Sequence, residues 1–452
     1  MDLEPIILEI IKYGDNALAL EILSAFYEEA DSFEGYENIT KCYASIGEFS
    51  LSLESGKKAL QYADKEQSKI FKENMVSIAR RAARPEFALQ LIEQMSPNAI
   101  LDIEKAGALY ELDRKLDSLH VLENVDSKKL SVYHKAKLQN YLGNCYLYFS
   151  DFKQGLRQVI IDGSKVRELE SPIPDQFHSR KELPLPFWDG TAKVKNLIIY
   201  AEAGIGDEII NIRFMKHLED RGINAVWYGV WHDNAKVNKR EGVVKVFQNS
   251  GFKVVTNLNE LGDPKEWMWT YSQYLPINLK LDTQDLWYGN YLKSDGNTYV
   301  KKLSDKTNVG IRWYGNPNPA YRNYPLKELY GAIGDADAIF YSLQKDEGLD
   351  ELKDFPGIIN PQLGDFEDTV SYINSMDIII TSCTCIAHAA AALGKETYIL
   401  VPISAYYVWC CTDDSPWYGS NVKILRQTTP RSWKEPIAKL RSILLEKKII
   451  HE

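Results

Sequence analysis

Asp377-Ile378-Ile379-Ile380-Thr381-Ser382-Cys383-Thr384-Cys385-Ile386-Ala387-His388-Ala389-Ala390-Ala391-Ala392-Leu393-Gly394-Lys395 decides the fold of the half of the chain in which it lies. The unbroken apolar run Asp377–Thr381 reads as a buried strand, and it leads through a hydroxyl-rich turn into a small-residue helix closed by Gly394. A helix that starts directly after a strand presents unpaired N–H groups at the strand's carboxyl end, a place that favours phosphate. Thr384, Cys385, Ile386 and His388 stand at that start and are candidate anion-binding residues. His388 has two readings, a hydrogen-bonded core imidazole or a group facing the bound anion.

Outward from this segment the period keeps alternating. Strand patterns at 308–313, 338–343 and 397–401 and helix patterns at 326–333 and 367–375 predict a parallel, doubly wound sheet. A second unit lies upstream. Leu197–Tyr200 reads as a strand, 201–208 as a loop, Ile209–Arg221 as a helix closed by Gly222, and Ala225–Tyr228 as the next strand. Gly204 and Gly206 let that loop approach a ligand, but Ile209 occupies the place of the third glycine in a dinucleotide fingerprint, so no nicotinamide or flavin cofactor is expected. Asp207 falls at the carboxyl edge where open α/β sheets bind ligands, and it also fits a carboxylate bonding its own helix start. Arg312, Arg322 and Lys345 lie just past strands or before helices on the corresponding edge of the downstream unit, where converging cations would neutralise a diphosphate.

Residues 1–170 have a different texture, with long amphipathic runs, three prolines and no alternating strand. A helix-turn-helix unit recurs, most clearly from Tyr36 to Leu60 and again from Leu142 to Phe152. Its turn-proximal positions, Asn16, Phe49, Phe87, Leu116 and Phe152, are spaced by 33, 38, 29 and 36 residues, about the roughly 34 of a tetratricopeptide repeat. Such units stack into a superhelix with a concave groove. Residues 171–190, with Pro172, Pro174, Pro184 and Pro186, form a linker. The expected organisation is therefore α plus α/β: a tetratricopeptide-like solenoid over 1–170, Rossmann-like domains over 191–300 and 301–430, and a C-terminal helix over 431–452.

Composition excludes several classes. The 452 residues are 45% hydrophobic and 26% charged, ordinary for a folded protein. No run reaches the roughly 18 apolar residues of a membrane span, and MDLEPIILEI has acids where a signal peptide carries cations, so the expectation is a cytoplasmic protein. Six cysteines (Cys42, Cys145, Cys383, Cys385, Cys410 and Cys411) fit neither a disulfide framework nor a spaced zinc site, and no metal is expected. A net charge of -10 disfavours a broad face for polyanions.

Five ordered motifs carry a family resemblance: Gly310–Pro317, Arg322–Leu326, Ser342–Lys345, Ala387-His388 with Ala391 to Lys395, and Asp414–Tyr418 with Arg426-Gln427. Together with the Glu202–Ile209 loop, they resemble bacterial and phage tetratricopeptide proteins whose catalytic half is similar to the ADP-heptose:lipopolysaccharide heptosyltransferases. The resemblance covers roughly 196–445. It implies a GT-B glycosyltransferase, inverting and metal-independent, with a nucleotide sugar as donor substrate and no cofactor. It makes Asp207 the general base, Arg322 and Lys345 the diphosphate ligands, and Thr384 with Ile386–His388 the nucleotide-sugar site. One departure stands out: the family's acid before the donor-motif threonine is here Cys383. The expected partners are a nucleotide-sugar donor and a macromolecular acceptor, protein or glycan. Modified DNA bases as acceptor, and a non-catalytic scaffold with a vestigial transferase half, are the alternatives.

Overall fold

The computed structural model describes residues 4–12, 16–170, 183–201, 204–229, 237–286, 289–296, 306–315, 322–409 and 414–450. Pro172, Pro174, Glu202, Ala203, Asn316, Pro317, Cys410 and Cys411, all used in the reading above, lie outside the described residues. The chain divides into two compact units: Met1–Cys145 with Ile161–Phe177 and Thr428–Arg431, and Tyr146–Ile160 with His178–Gln427 and Ser432–Glu452. The sequence reading ends the helical region at 170. By packing, Tyr146–Ile160 belongs to the second unit, because Leu147, Phe152, Leu156 and Ile160 are buried in that unit's core.

The first unit is built from α1 (Glu4–Lys12), α2 (Asn16–Glu29), α3 (Phe33–Ser45), α4 (Phe49–Tyr62), α5 (Lys65–Arg81), α6 (Pro85–Ile92), α7 (Ala99–Glu111), α8 (Lys115–Glu123) and most of α9 (Val132–Tyr148). Helices α10 (Phe152–Arg157) and α11 (Gly163–Glu170) flank a π-helical turn at Gln158–Asp162. Side chains start several of these helices. Ser32 accepts from the Gly35 N–H at 3.1 Å, and Asp64 and Gln67 cap α5 reciprocally. Consecutive helices pack in hairpins, and the turns repeat a signature. Gly47, Ala83, Asp113 and Ser150 all have positive φ (86°, 55°, 62° and 66°), each two residues before the helix that follows. Only the first copy uses the residue for which that conformation carries no steric cost.

One part of this unit is ionic inside. Glu104 accepts from Arg80 Nη1 and Lys137 Nζ, each at 2.6 Å, and Arg80 Nη2 reaches Glu111 at 2.8 Å. Burial alone would raise the Glu104 carboxyl, but the two cations outweigh it and hold it at about 2. Glu111 is pushed the other way, upward, by its own burial. Gly107 gives the cluster its room, since a Cβ there would lie 2.1 Å from Arg80 Nη2.

In the second unit, β1 (Asn196–Tyr200), α12 (Ile205–Ile212), α13 (Met215–Asp220), β2 (Asn224–Tyr228), α14 (Val237–Asn249), β3 (Val254–Val255), β4 (Trp267–Tyr271) and α15 (Leu275–Asn278) make one α/β half. The other half comprises β5 (Thr307–Arg312), α16 (Leu326–Ile333), β6 (Ala338–Ser342), α17 (Phe366–Asn374), β7 (Ile378–Ser382), α18 (Cys385–Ala392), β8 (Glu396–Val401), β9 (Val422–Arg426) and α19 (Lys434–Glu446). Both sheets are parallel throughout, in the orders β3-β2-β1-β4 and β6-β5-β7-β8-β9. They are two Rossmann-like sheets.

Strand β4 falls in a Trp- and Tyr-rich stretch that showed no strand pattern. Four of its five residues are buried, and the two faces are not distinguished by polarity, so no alternation is visible. The chain ahead of β1 covers this strand's outer edge. Phe187 bridges Trp269, whose N–H donates to the Pro186 carbonyl at 3.0 Å and whose carbonyl accepts from Trp188 at 2.7 Å. The described end of the expected linker is therefore part of the first sheet. No helix among the described residues is long and apolar enough to cross a membrane.

Candidate active site

An open parallel sheet binds ligands where the strand order reverses, since the loops there diverge and leave a crevice at the carboxyl ends. In the first sheet the chain leaves β1 for β2 and β3, then returns to β4 on the other side of β1, so the loop after β1 is at the reversal. In the second sheet β6 and β7 flank β5, so the crevice lies past the ends of β5 and β7. The first loop carries Gly204, Gly206 and Asp207. The second crevice carries Gly315, Arg322 and the start of α18.

These two crevices meet. Helix α12 packs against α18, and Gly206 sits so close that a Cβ would lie 3.1 Å from His388 Cδ2 and 3.6 Å from the Cys385 Cα. Asp207 is the third residue of α12. Its Oδ2 accepts from the Gly204 N–H at 3.1 Å, which is the helix-start role. Its Oδ1 accepts from the Tyr406 hydroxyl, which comes from beyond β8 in the other half. Oδ2 thus takes the helix-start role, while Oδ1 bonds across to the other half.

Across from Asp207, Arg322 Nη1 lies 3.4 Å from the Cys383 carbonyl, and Gly315 has no space for a side chain: a Cβ would be 2.9 Å from Thr384 Cγ2 and 3.2 Å from Arg322 Nε. Thr384 precedes α18 without capping it, its hydroxyl 3.4 Å from that of Thr381. Cys383 lies within reach of both charges. Burial pushes its thiol up to about 11, and the charges of Arg322 and Asp207 both reach it. The thiol is neutral in this position.

His388 resolves toward the core reading. It is 4% exposed, stacks on Trp409 at 4.8 Å between ring centroids, and exchanges a hydrogen bond of 2.9 Å through Nδ1 with the Tyr418 hydroxyl. Burial, aided by Arg213, lowers its pKa to about 3. A neutral imidazole neutralises no phosphate, so its part is to hold Gly206 and the α12 loop at the correct height.

The remaining sequence-selected residues make other contacts. Arg312 is buried, with Nη2 2.8 and 2.9 Å from the two Asp346 oxygens and Nη1 3.1 Å from the Leu343 carbonyl, so its guanidinium braces the loop after β6. Cys385 feels that pair, and burial raises its thiol. Lys345 is exposed and donates to the Gly364 carbonyl ahead of α17. Ile386 is buried at the base of α18. Gly204, Gly206 and Asp207 from one half and Arg322, Thr384, Cys385 and His388 from the other are the selected residues that converge. Among the described residues, no group of three or more His, Cys, Asp or Glu side chains is arranged to hold a metal ion.

Tyr406 went unread in the sequence. The available signal was its place, five residues past β8 on the carboxyl edge, next to a second tyrosine. Aromatic residues there resemble packing residues until the partner carboxylate is known.

No protein-family model matches the chain, and no curated protein matches it by sequence. Among solved structures it is similar to E. coli heptosyltransferase WaaC with ADP-2-deoxy-2-fluoro heptose, at 11% identity over 56% of this chain and 99% of that one, TM-score 0.37. For E. coli ADP-heptose lps heptosyltransferase II the figures are 14%, 56%, 99% and 0.37. A mutant of Thermobaculum terrenum O-GlcNAc transferase matches at 12% identity over 95% of this chain and 93% of that one, TM-score 0.31.

Proposed function

We propose that this protein is a nucleotide-sugar-dependent glycosyltransferase, inverting and needing no metal or cofactor. The observation that carries the reading is the convergence of a carboxylate from one Rossmann-like half with a guanidinium and a helix start from the other, both charges reaching Cys383. The five-motif sequence resemblance supports the same residues in the same roles.

In this reading Asp207 takes the proton of the acceptor hydroxyl, and the freed oxygen attacks the anomeric carbon from the face opposite the diphosphate. The bond from that carbon to the nucleoside diphosphate breaks, and its electron pair leaves on the phosphate oxygen. Arg322 and the N–H groups at the start of α18 stabilise that growing negative charge, where fixed donors lower the barrier most. Because Cys383 stays neutral, donor hydroxyls meet a thiol where the resembling family offers a carboxylate, so heptose is not assumed. The helical hairpins, read as tetratricopeptide-like, present a macromolecular acceptor in the cytoplasm.

Turnover of a panel of UDP-, GDP-, ADP- and CMP-sugars tests this. At least one is expected to be consumed, with Asp207→Asn lowering kcat by about 1,000-fold while donor binding persists. A panel in which nothing binds or reacts would leave the scaffold reading, and turnover indifferent to Asp207→Asn would remove Asp207 as the base.

A further inference from the structure

The segment after β8 reaches from the second sheet to the start of α12 and is anchored on its own side. Arg426 Nη1 lies 3.3 Å from the Pro402 carbonyl and 3.4 Å from that of Ile403, and its Nη2 donates to the Trp409 carbonyl. Tyr406 sits inside this span. Its ring lies 4.4 Å from that of Tyr407, which packs on Trp417, and its backbone N–H is aimed at the Cys383 sulfur. Its hydroxyl reaches the other half, where it donates to Asp207 Oδ1.

We propose that Tyr406 is the positioning residue for Asp207, making alignment of the base depend on the two α/β halves being together. The inference rests on the glycosyltransferase reading. A carboxylate held by one donor still turns about its last torsion, which is broad for Asp. The Gly204 N–H fixes one oxygen from the helix's own start; the Tyr406 hydroxyl fixes the other and sets the plane. The lone pairs that remain then point in one direction, and an acceptor hydroxyl arriving there is oriented for proton transfer. Burial and the neighbouring carboxylate push the Tyr406 pKa well above the ordinary tyrosine value, so Tyr406 stays a donor and does not compete as a base. When the halves part, Asp207 keeps the Gly204 bond and loses its aim.

The test is a kinetic double-mutant cycle on the full chain with the donor identified from the panel. Tyr406→Phe is expected to lower kcat by about 10- to 100-fold and to change the donor KM by less than about 3-fold, the pattern of a misaligned group with intact binding. In an Asp207→Ala background, with no carboxylate left to aim, the same change is expected to alter the residual rate by less than about 2-fold. Equal fractional losses in both backgrounds, or a loss confined to KM, would overturn the positioning role while leaving the glycosyltransferase reading standing. If no donor turns over, that reading fails by itself. Melting temperatures of the same four proteins then decide whether Tyr406 holds Asp207: additive shifts overturn the inference, whereas coupled shifts keep the contact.

Discussion

Two groups of charged side chains among the described residues, one in the helical unit and one at the crevice, are built differently. In the helical unit, Arg80, Lys137, Glu104 and Glu111 lie in one buried cluster, with both Glu104 oxygens bonded to cations. At the crevice, Asp207 accepts from Gly204 and Tyr406, Arg322 Nη1 lies 3.4 Å from the Cys383 carbonyl, and the charges of both reach the Cys383 thiol. The first arrangement contributes to stability and specifies how helices dock. The second holds a carboxylate with two neutral donors, the Gly204 N–H and the Tyr406 hydroxyl, which suits the base proposed above.

Removing one member of the closed cluster gives the largest expected effect on folding. Glu104→Gln strands two buried cations and should cost about 3 kcal/mol, read as lost amide protection across α5, α7 and α9 with donor turnover unchanged. Unchanged protection would mean the cluster is less closed than its distances imply. At the crevice the signs invert: Arg322→Ala should cut kcat/KM by about 100-fold, roughly 2.7 kcal/mol, with little change in protection. Exposed Lys345, bonded to Gly364, is the weaker cation, and Lys345→Ala is expected to lose less than about 10-fold; a ranking with Lys345 above Arg322 would place the diphosphate nearer α17.

Acid separates the two regions by the sign of linkage. Glu104 has a folded pKa below its unfolded one, so its contribution is complete above about pH 4.5 and is lost as pH falls toward about 2. His388 favours the neutral form in the fold. Its contribution is complete above the unfolded value of 6.5 and declines as pH falls toward about 3, amounting to a loss of about 2 kcal/mol by pH 5. Hydrogen exchange between pH 6.5 and 5 should therefore show α18 loosening before α7, and His388→Phe should flatten that early loss. Simultaneous loosening would count against the burial of His388.

How much of this was legible depended on whether one residue type satisfied one requirement. The strand-to-helix run at Asp377–Lys395 was readable because apolar strand, turn and Gly394 each left their own mark, and Gly394 indeed takes φ 78°. The helical repeat was harder. The left-handed turn position is glycine only at Gly47, and Ala83, Asp113 and Ser150 meet the same geometry without announcing it. Strand β9 escaped notice because Lys423 interrupts a short run, and β3 is only two residues long. In the candidate site, carboxyl-edge logic selected Asp207, Arg322 and Thr384 from position alone, and the structure brings them to one crevice. It also selected Arg312, whose charge is answered by Asp346, 34 residues on. A cation's partner is a tertiary fact, and so is the meeting of Tyr406 with Asp207, 199 positions apart.

The short extended stretch at Pro186–Trp188 has a practical consequence. By lying along β4 it occupies hydrogen-bonding groups that would otherwise offer a bare, aromatic template to any passing polypeptide. A truncated chain beginning at Leu183 keeps that shield, whereas one beginning at residue 191 uncovers it and invites self-association.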